Sequence, residues 1–167
     1  MTTNRRTILR ASLLVAGLPL LAACATSGPT FSDIHAAEPP VAPEKSRIYF
    51  YRISSMMGAA VQPSVRVNGE VVGEAIPGGY FYIDREPGTY EISTATEATE
   101  SIRTVLKSGE TRYVRLDISM GLMVGHVSPL LVMAEQGESE IYKCHYAPEL
   151  PGERRKKKEE EKKKKSR

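Results

Sequence analysis

The sequence predicts a mainly β protein: a single antiparallel β-sandwich of about seven short strands, with a short helix towards its C-terminal end. Three observations predict it. Between residues 46 and 150, runs of aromatic and β-branched residues have the length of single strands. Within those runs apolar and polar residues alternate with period two. Turn-forming pairs stand between them, namely Asn68-Gly69, Gly78-Gly79, Pro87-Gly88 and Ser108-Gly109, at spacings usual for sandwiches.

Residues 47–53 (RIYFYRI) form the first predicted strand. Residues 64–67 follow, with Val65 and Val67 facing inward and Arg66 outward. They turn through Asn68-Gly69 into residues 70–72. Both central residues of a type I′ turn need positive φ, which Asn and Gly tolerate. Residues 80–84, 89–94, 101–107 and 111–119 complete the set. In the last of these, Val114, Leu116 and Ile118 face one side, and Arg115 and Asp117 the other. Residues 121–128 read as a glycine-rich apolar loop and 130–134 as a candidate edge strand. Residues 136–143 read as a short helix that Gly137 weakens. A domain of this length buries roughly 65% of its unfolded surface, so it needs neither metal nor disulfide to fold.

The order of these pieces carries a resemblance. Val65-Arg66-Val67-Asn68-Gly69, Gly73, Tyr80-Phe81, Pro87-Gly88-Thr89-Tyr90, Gly109 and Tyr113-Val114 resemble an uncharacterised bacterial lipoprotein domain family of unknown function. More distantly they are similar to PEGA-type and prealbumin-like surface modules. Pro63-Ser64-Val65 stands where PEGA modules carry their P-x-G-A segment. The resemblance implies a β-sandwich and an envelope setting. It implies no activity, since a fold by itself supplies none.

Charge is segregated along the 167 residues. Residues 1–23 hold three Arg, residues 24–150 hold ten basic and sixteen acidic groups, and residues 151–167 hold ten basic and four acidic ones. The centre is therefore at −6 between two basic ends. Residues 1–23 read as a signal peptide: a basic start, an apolar stretch over 11–21 and small residues before Cys24. The apolar stretch is too short to span a bilayer. Leu21-Ala22-Ala23-Cys24 resembles the bacterial lipobox, which implies cleavage between Ala23 and Cys24 and lipid on the Cys24 sulfur and its new amine. Several acyl chains, at ~0.8 kcal/mol per buried CH2, would hold the chain stably on a membrane. The alternatives are an ordinary signal peptide with an incidental cysteine, or a Cys24–Cys144 disulfide. Ala25, in place of the Asp that resembles an inner-membrane retention signal, leans towards the outer membrane. Arg5-Arg6-Thr7-Ile8-Leu9-Arg10 resembles a twin-arginine export signal, and reads equally as the basic start of a general secretion signal.

Residues 25–45 contain Pro29, Pro39, Pro40 and Pro43 without apolar periodicity, and read as a disordered tether with a solvated His35. The tail, 151–167, is low in complexity and basic. Arg154, Arg155, Lys156, Lys157, Lys158, Lys162, Lys163, Lys164 and Lys165 would be drawn to anionic lipid, lipopolysaccharide or cell-wall polymer, at ~1 kcal/mol per basic residue. The other reading is a solubilising tail, or one folded back on the acidic domain. Nucleic acid is not an expected partner of an exported chain.

Catalytic chemistry has thin support. His126 and Ser128 are close in sequence, but no G-x-S-x-G elbow frames them. Cys144-His145 falls short of the three or four ligands that zinc takes, so no metal or cofactor is expected. Cys144 reads as a buried packing thiol, with oxidation or an intermolecular disulfide as the alternative. Tyr49, Tyr51, Tyr80, Tyr82, Tyr90 and Tyr113 alternate along strands, either as core and cross-strand pairs or as a ligand surface. The expectation is a non-catalytic envelope lipoprotein, lipid-anchored and facing the periplasm, whose sandwich binds or supports a partner. The alternative is an accessory subunit of a periplasmic enzyme, or of a secretion or stress system, docking through its tail.

Overall fold

The computed structural model describes residues 28–121 and 125–165. The signal features at Arg5, Arg6, Ala23 and Cys24 lie outside the described residues. The first elements among the described residues are a short helix α1 (Phe31–Ile34) and a 3-10 turn (His35–Ala37). Strands follow: β1 (Ser46–Tyr51), β2 (Ser64–Val67), β3 (Glu70–Glu74), β4 (Gly79–Arg85), β5 (Gly88–Ala95), β6 (Thr99–Leu106), β7 (Thr111–Ser119) and β8 (His126–Val132). Helix α2 (Ala134–Ile141), the two-residue β9 (His145–Tyr146) and helix α3 (Glu153–Lys165) complete the order.

The strands form two sheets, β8-β7-β1-β4-β9 and β3-β2-β5-β6. Their facing sides make the main core. Ile48, Phe50, Phe81, Val114, Leu116 and Val127 come from the first sheet, and Val65, Val67, Ile92 and Leu106 from the second. Period two puts these residues on one side of each strand. The Asn68-Gly69 turn is as the sequence predicts, with φ of 49° and 82°. Asn68 also accepts a hydrogen bond from the Glu91 amide on β5 at 2.8 Å. Gly73 is required by packing: a Cβ there would stand 2.4 Å from the Phe81 ring.

Four features differ from the sequence reading. The sandwich is not purely antiparallel, because β1 pairs parallel with β7 and β4 parallel with β9. All six β1 residues are buried, which suits a central strand covered on both faces. The predicted loop at 121–128 is strand from His126 onward, since β8 pairs with β7 as far as Ser119–His126. Residues 28–45 do not behave as a free tether: Phe31 is buried, and residues 28–31 lie along β9. A single apolar anchor leaves no periodic signature, so this docking was invisible to pattern reading. The tail carries a helix of thirteen residues, although its length alone is marginal for one.

The first sheet is covered on its outer side as well. A second cluster of Phe31, Tyr49, Tyr51, Tyr80, Tyr113, Ile141 and Cys144 lies there. Helix α2 crosses it with Gly137 against the Tyr113 ring, where a Cβ would come within 2.3 Å. The residue that weakened the helix prediction is therefore the one that lets the helix approach.

Candidate functional site: the covered tyrosine face

The strand register assembles this face. Tyr49 pairs with Tyr82 on one side and Tyr113 on the other, and Tyr51 pairs with Tyr80. Aromatic side chains on the same face of adjacent strands therefore meet. Tyr49 stacks on Tyr113 with ring centroids 5.3 Å apart, and Phe31 meets Tyr49 and Tyr80 edge-on. Tyr90 is separate, packed against the main core in the other sheet.

Burying so many hydroxyls requires acceptors. Glu38 supplies the first. Its carboxylate, only 5% exposed, accepts from Tyr49 at 2.5 Å and from Tyr80 at 3.1 Å. His35 Nδ1 lies 2.9 Å away and the Arg47 guanidinium 3.8 Å away. Arg47 is itself buried. It donates through Nε and Nη2 to the two oxygens of Asp84, at 2.7 and 2.9 Å, and lies over the Tyr82 ring at 4.1 Å. The Asp84 bonds hold the guanidinium protonated well above its ordinary range, against the opposing effect of burial. Desolvation first, then the Glu38 hydrogen bond, raises Tyr49 far above an ordinary phenol.

Glu140 on α2 supplies the second acceptor. It accepts from Tyr51 at 2.7 Å and from Arg115 Nη1 at 2.8 and 3.0 Å, while Arg115 also forks onto Asp117. Burial pushes the Glu140 carboxyl up, but bonds from Gln136, Tyr51 and Arg115 outweigh it and hold it below the usual range. Beside this network the Cys144 thiol is free and buried, and desolvation pushes it up to about 12. A thiol that stays protonated at neutral pH is a poor nucleophile and a poor metal ligand.

A cleft of about 290 Å³ opens at the margin, lined among others by His35, Glu38, Pro40, Arg47, Tyr49 and Glu138. Its innermost charged groups, Glu38 and Arg47, are already bonded to protein partners. The arrangement fastens the N-terminal segment and α2 to the sheet.

His126 pairs with Glu97 at 3.2 Å, while Ser128 stands opposite Asp117 in the β7–β8 register. His145 donates through Nδ1 to the Gly28 carbonyl at 2.6 Å, and so takes part in the N-terminal docking. Among the described residues, no three His, Cys, Asp or Glu side chains are grouped to hold a metal ion. His35, expected in solvent, is half exposed and stacks on Phe31 at 4.2 Å. In the tail, Lys156, Lys157, Lys163 and Lys164 are exposed along α3, and Lys157 reaches Glu149 at 3.5 Å. The side chains of Arg154, Arg155, Lys158, Lys162 and Lys165 lie outside the described residues. Sequence reasoning missed Glu38 and Glu140. Neither lies in a motif, and only the demand of buried tyrosines for acceptors pointed to carboxylates at all.

Fold and site together define a class: a two-sheet β domain whose central sheet is covered on its outer side by the chain's own flanking segments. The chain belongs to the family of proteins of unknown function DUF2846, whose model matches residues 42–129. Comparison with curated proteins finds no match. The matched range runs from just before β1 to Pro129 in β8, so Phe31, Glu38, α2 and β9 lie beyond it. Among the described residues, no helix is long and apolar enough to cross a membrane.

Proposed function

We propose that this chain is a lipid-anchored bacterial envelope lipoprotein, held at the outer membrane facing the periplasm, with a non-catalytic β-sandwich as a binding or structural module. The observation that carries the reading is Leu21-Ala22-Ala23-Cys24, a lipobox-like segment ending four residues before Gly28, where docking to the sheet begins. The likeness to PEGA-type and prealbumin-like surface modules favours the same setting. A structural role is favoured by the chemistry of the tyrosine face, where buried hydroxyls, carboxylates and guanidinium groups satisfy one another. Metabolic labelling with a clickable fatty acid tests the anchor. Label should enter the wild-type chain and be lost in Cys24→Ser. Equal label in both would overturn the reading.

A further inference from the structure

The two ends of the folded domain leave it side by side. Residues 28–31 run antiparallel to β9. Thr30 bridges His145, the Tyr146 amide donates to the Pro29 carbonyl at 2.8 Å, and the Phe31 amide donates to Cys144 at 2.8 Å. β9 is thus gripped between β4 and the incoming N-terminal segment. Chain entry at Pro29 and chain exit at Tyr146 are hydrogen-bonded neighbours on one sheet edge. Upstream, only four residue steps separate Gly28 from Cys24, a reach of at most ~14 Å. Downstream, seven steps lead from Tyr146 to Glu153, where α3 begins, and the helix adds ~20 Å. The Lys157–Glu149 pair ties the start of that helix back to the exit.

Resting on the lipoprotein reading, we propose that α3 binds the anionic phospholipid headgroups of the same bilayer that holds Cys24. The domain would then sit with its β9 edge towards the membrane. Charge favours this pose over its reverse. Residues 24–150 carry −6 and residues 151–167 carry +6, so an anionic surface repels the body and attracts the tail. Docking of residues 28–31 removes most of the predicted tether, which brings the tail close to the leaflet and raises its effective concentration there. The edge formed by β8, and the overlying β6, would face away.

The chain has no Trp, so a single one reports position. The full chain, carrying Lys164→Trp, is expressed in a bacterial host and its membrane form is reconstituted into vesicles. The vesicles are phosphatidylcholine, with or without phosphatidylglycerol, and contain a headgroup spin-labelled lipid. Flotation reads the anchor and Trp quenching reads the tail. Quenching should be about tenfold stronger in the anionic vesicles. It should disappear in 1 M salt and when Lys156, Lys157, Lys162 and Lys163 are changed to Glu, with flotation unchanged. A Val105→Trp reporter, on the exposed side of β6, should stay unquenched. A twenty-residue Gly-Ser insert between Ser27 and Gly28 should lower the salt concentration that releases the tail. Floating vesicles with an unquenched Lys164→Trp would overturn the proposal and leave the lipoprotein reading standing. So would clustering of neutral anchored vesicles with protein-free anionic ones, since the tail would then reach a second surface. A chain that does not float would sink both.

Discussion

Tyr49, in the middle of the central strand, donates its hydroxyl to Glu38 at 2.5 Å, eleven residues earlier in the chain. This contact joins the N-terminal segment to the sheet, and the same carboxylate also serves Tyr80. Glu38→Ala would leave two buried hydroxyls without their carboxylate acceptor, while Arg47 would keep its paired bonds to Asp84. The expected loss is about 3 kcal/mol of unfolding free energy, read as a lower urea midpoint. Tyr49→Phe removes one bond and leaves Glu38 its other partners, so it should cost about 1 kcal/mol. Equal, small effects of the two changes would show that the carboxylate does not fasten this segment.

Arg52 is 1% exposed and follows β1 directly. Its Nη1 donates to the carbonyls of Val61 and Ala75 at 2.6 and 2.8 Å, and its Nη2 to Gly58 at 3.0 Å. One guanidinium thus holds the connection between β1 and β2, and burial lowers its affinity for its proton. Arg52→Met keeps the apolar stem but takes the guanidinium donor from the Val61 and Ala75 carbonyls, while the Gly58 carbonyl keeps the Val61 amide. We expect a loss of about 3 kcal/mol and new protease cleavage within residues 53–63. Unchanged cleavage kinetics would contradict the role assigned to Arg52.

Stability should fall on the alkaline side. The Cys144 thiol is pushed up to about 12 in the folded chain, mainly by burial, against an ordinary value near 8.5. Tyr113 is raised in the same direction, also to about 12 and also mainly by burial. A raised folded pKa means that the unfolded chain releases its proton first. The associated stability is therefore intact below about pH 8.5 and is lost as pH climbs towards 12. Urea midpoints at pH 7, 9 and 10.5 should decline in that order, and Cys144→Ala should flatten the first part of the decline. The native thiol should also resist Ellman's reagent at pH 8, reacting only on the timescale of unfolding. A flat alkaline profile would show that the thiol is not desolvated.

Most strands were legible because their evidence is local. In β7, Val114, Leu116 and Ile118 alternate with Arg115 and Asp117, and the observed strand keeps the predicted bounds. The Asn68-Gly69 turn was legible because few other pairs accept two positive φ angles. Phe31 was missed because one buried ring among prolines has no period, and His126 because Pro129 and the preceding glycines mask a strand whose partner lies across the β7 ladder. Gly137 was read with the wrong sign. Its helix cost is local, whereas its benefit, contact with Tyr113, exists only once the sheet has formed.

Read alone, the sequence determined most of the strand segments from β1 to β7, the turns between them, which side of each faces the main core, and how charge divides between body and tail. Those properties follow from the backbone's period of two, the steric demands of positive φ and the count of ionised groups. Only the tertiary structure decided that β1 and β7 lie parallel, that Glu38 and Glu140 answer the buried tyrosines, and that residues 28–31 and β9 share one edge. Each of these depends on residues far apart in the chain meeting at hydrogen-bond distance. No local preference encodes such a meeting; burial of the whole sheet selects it.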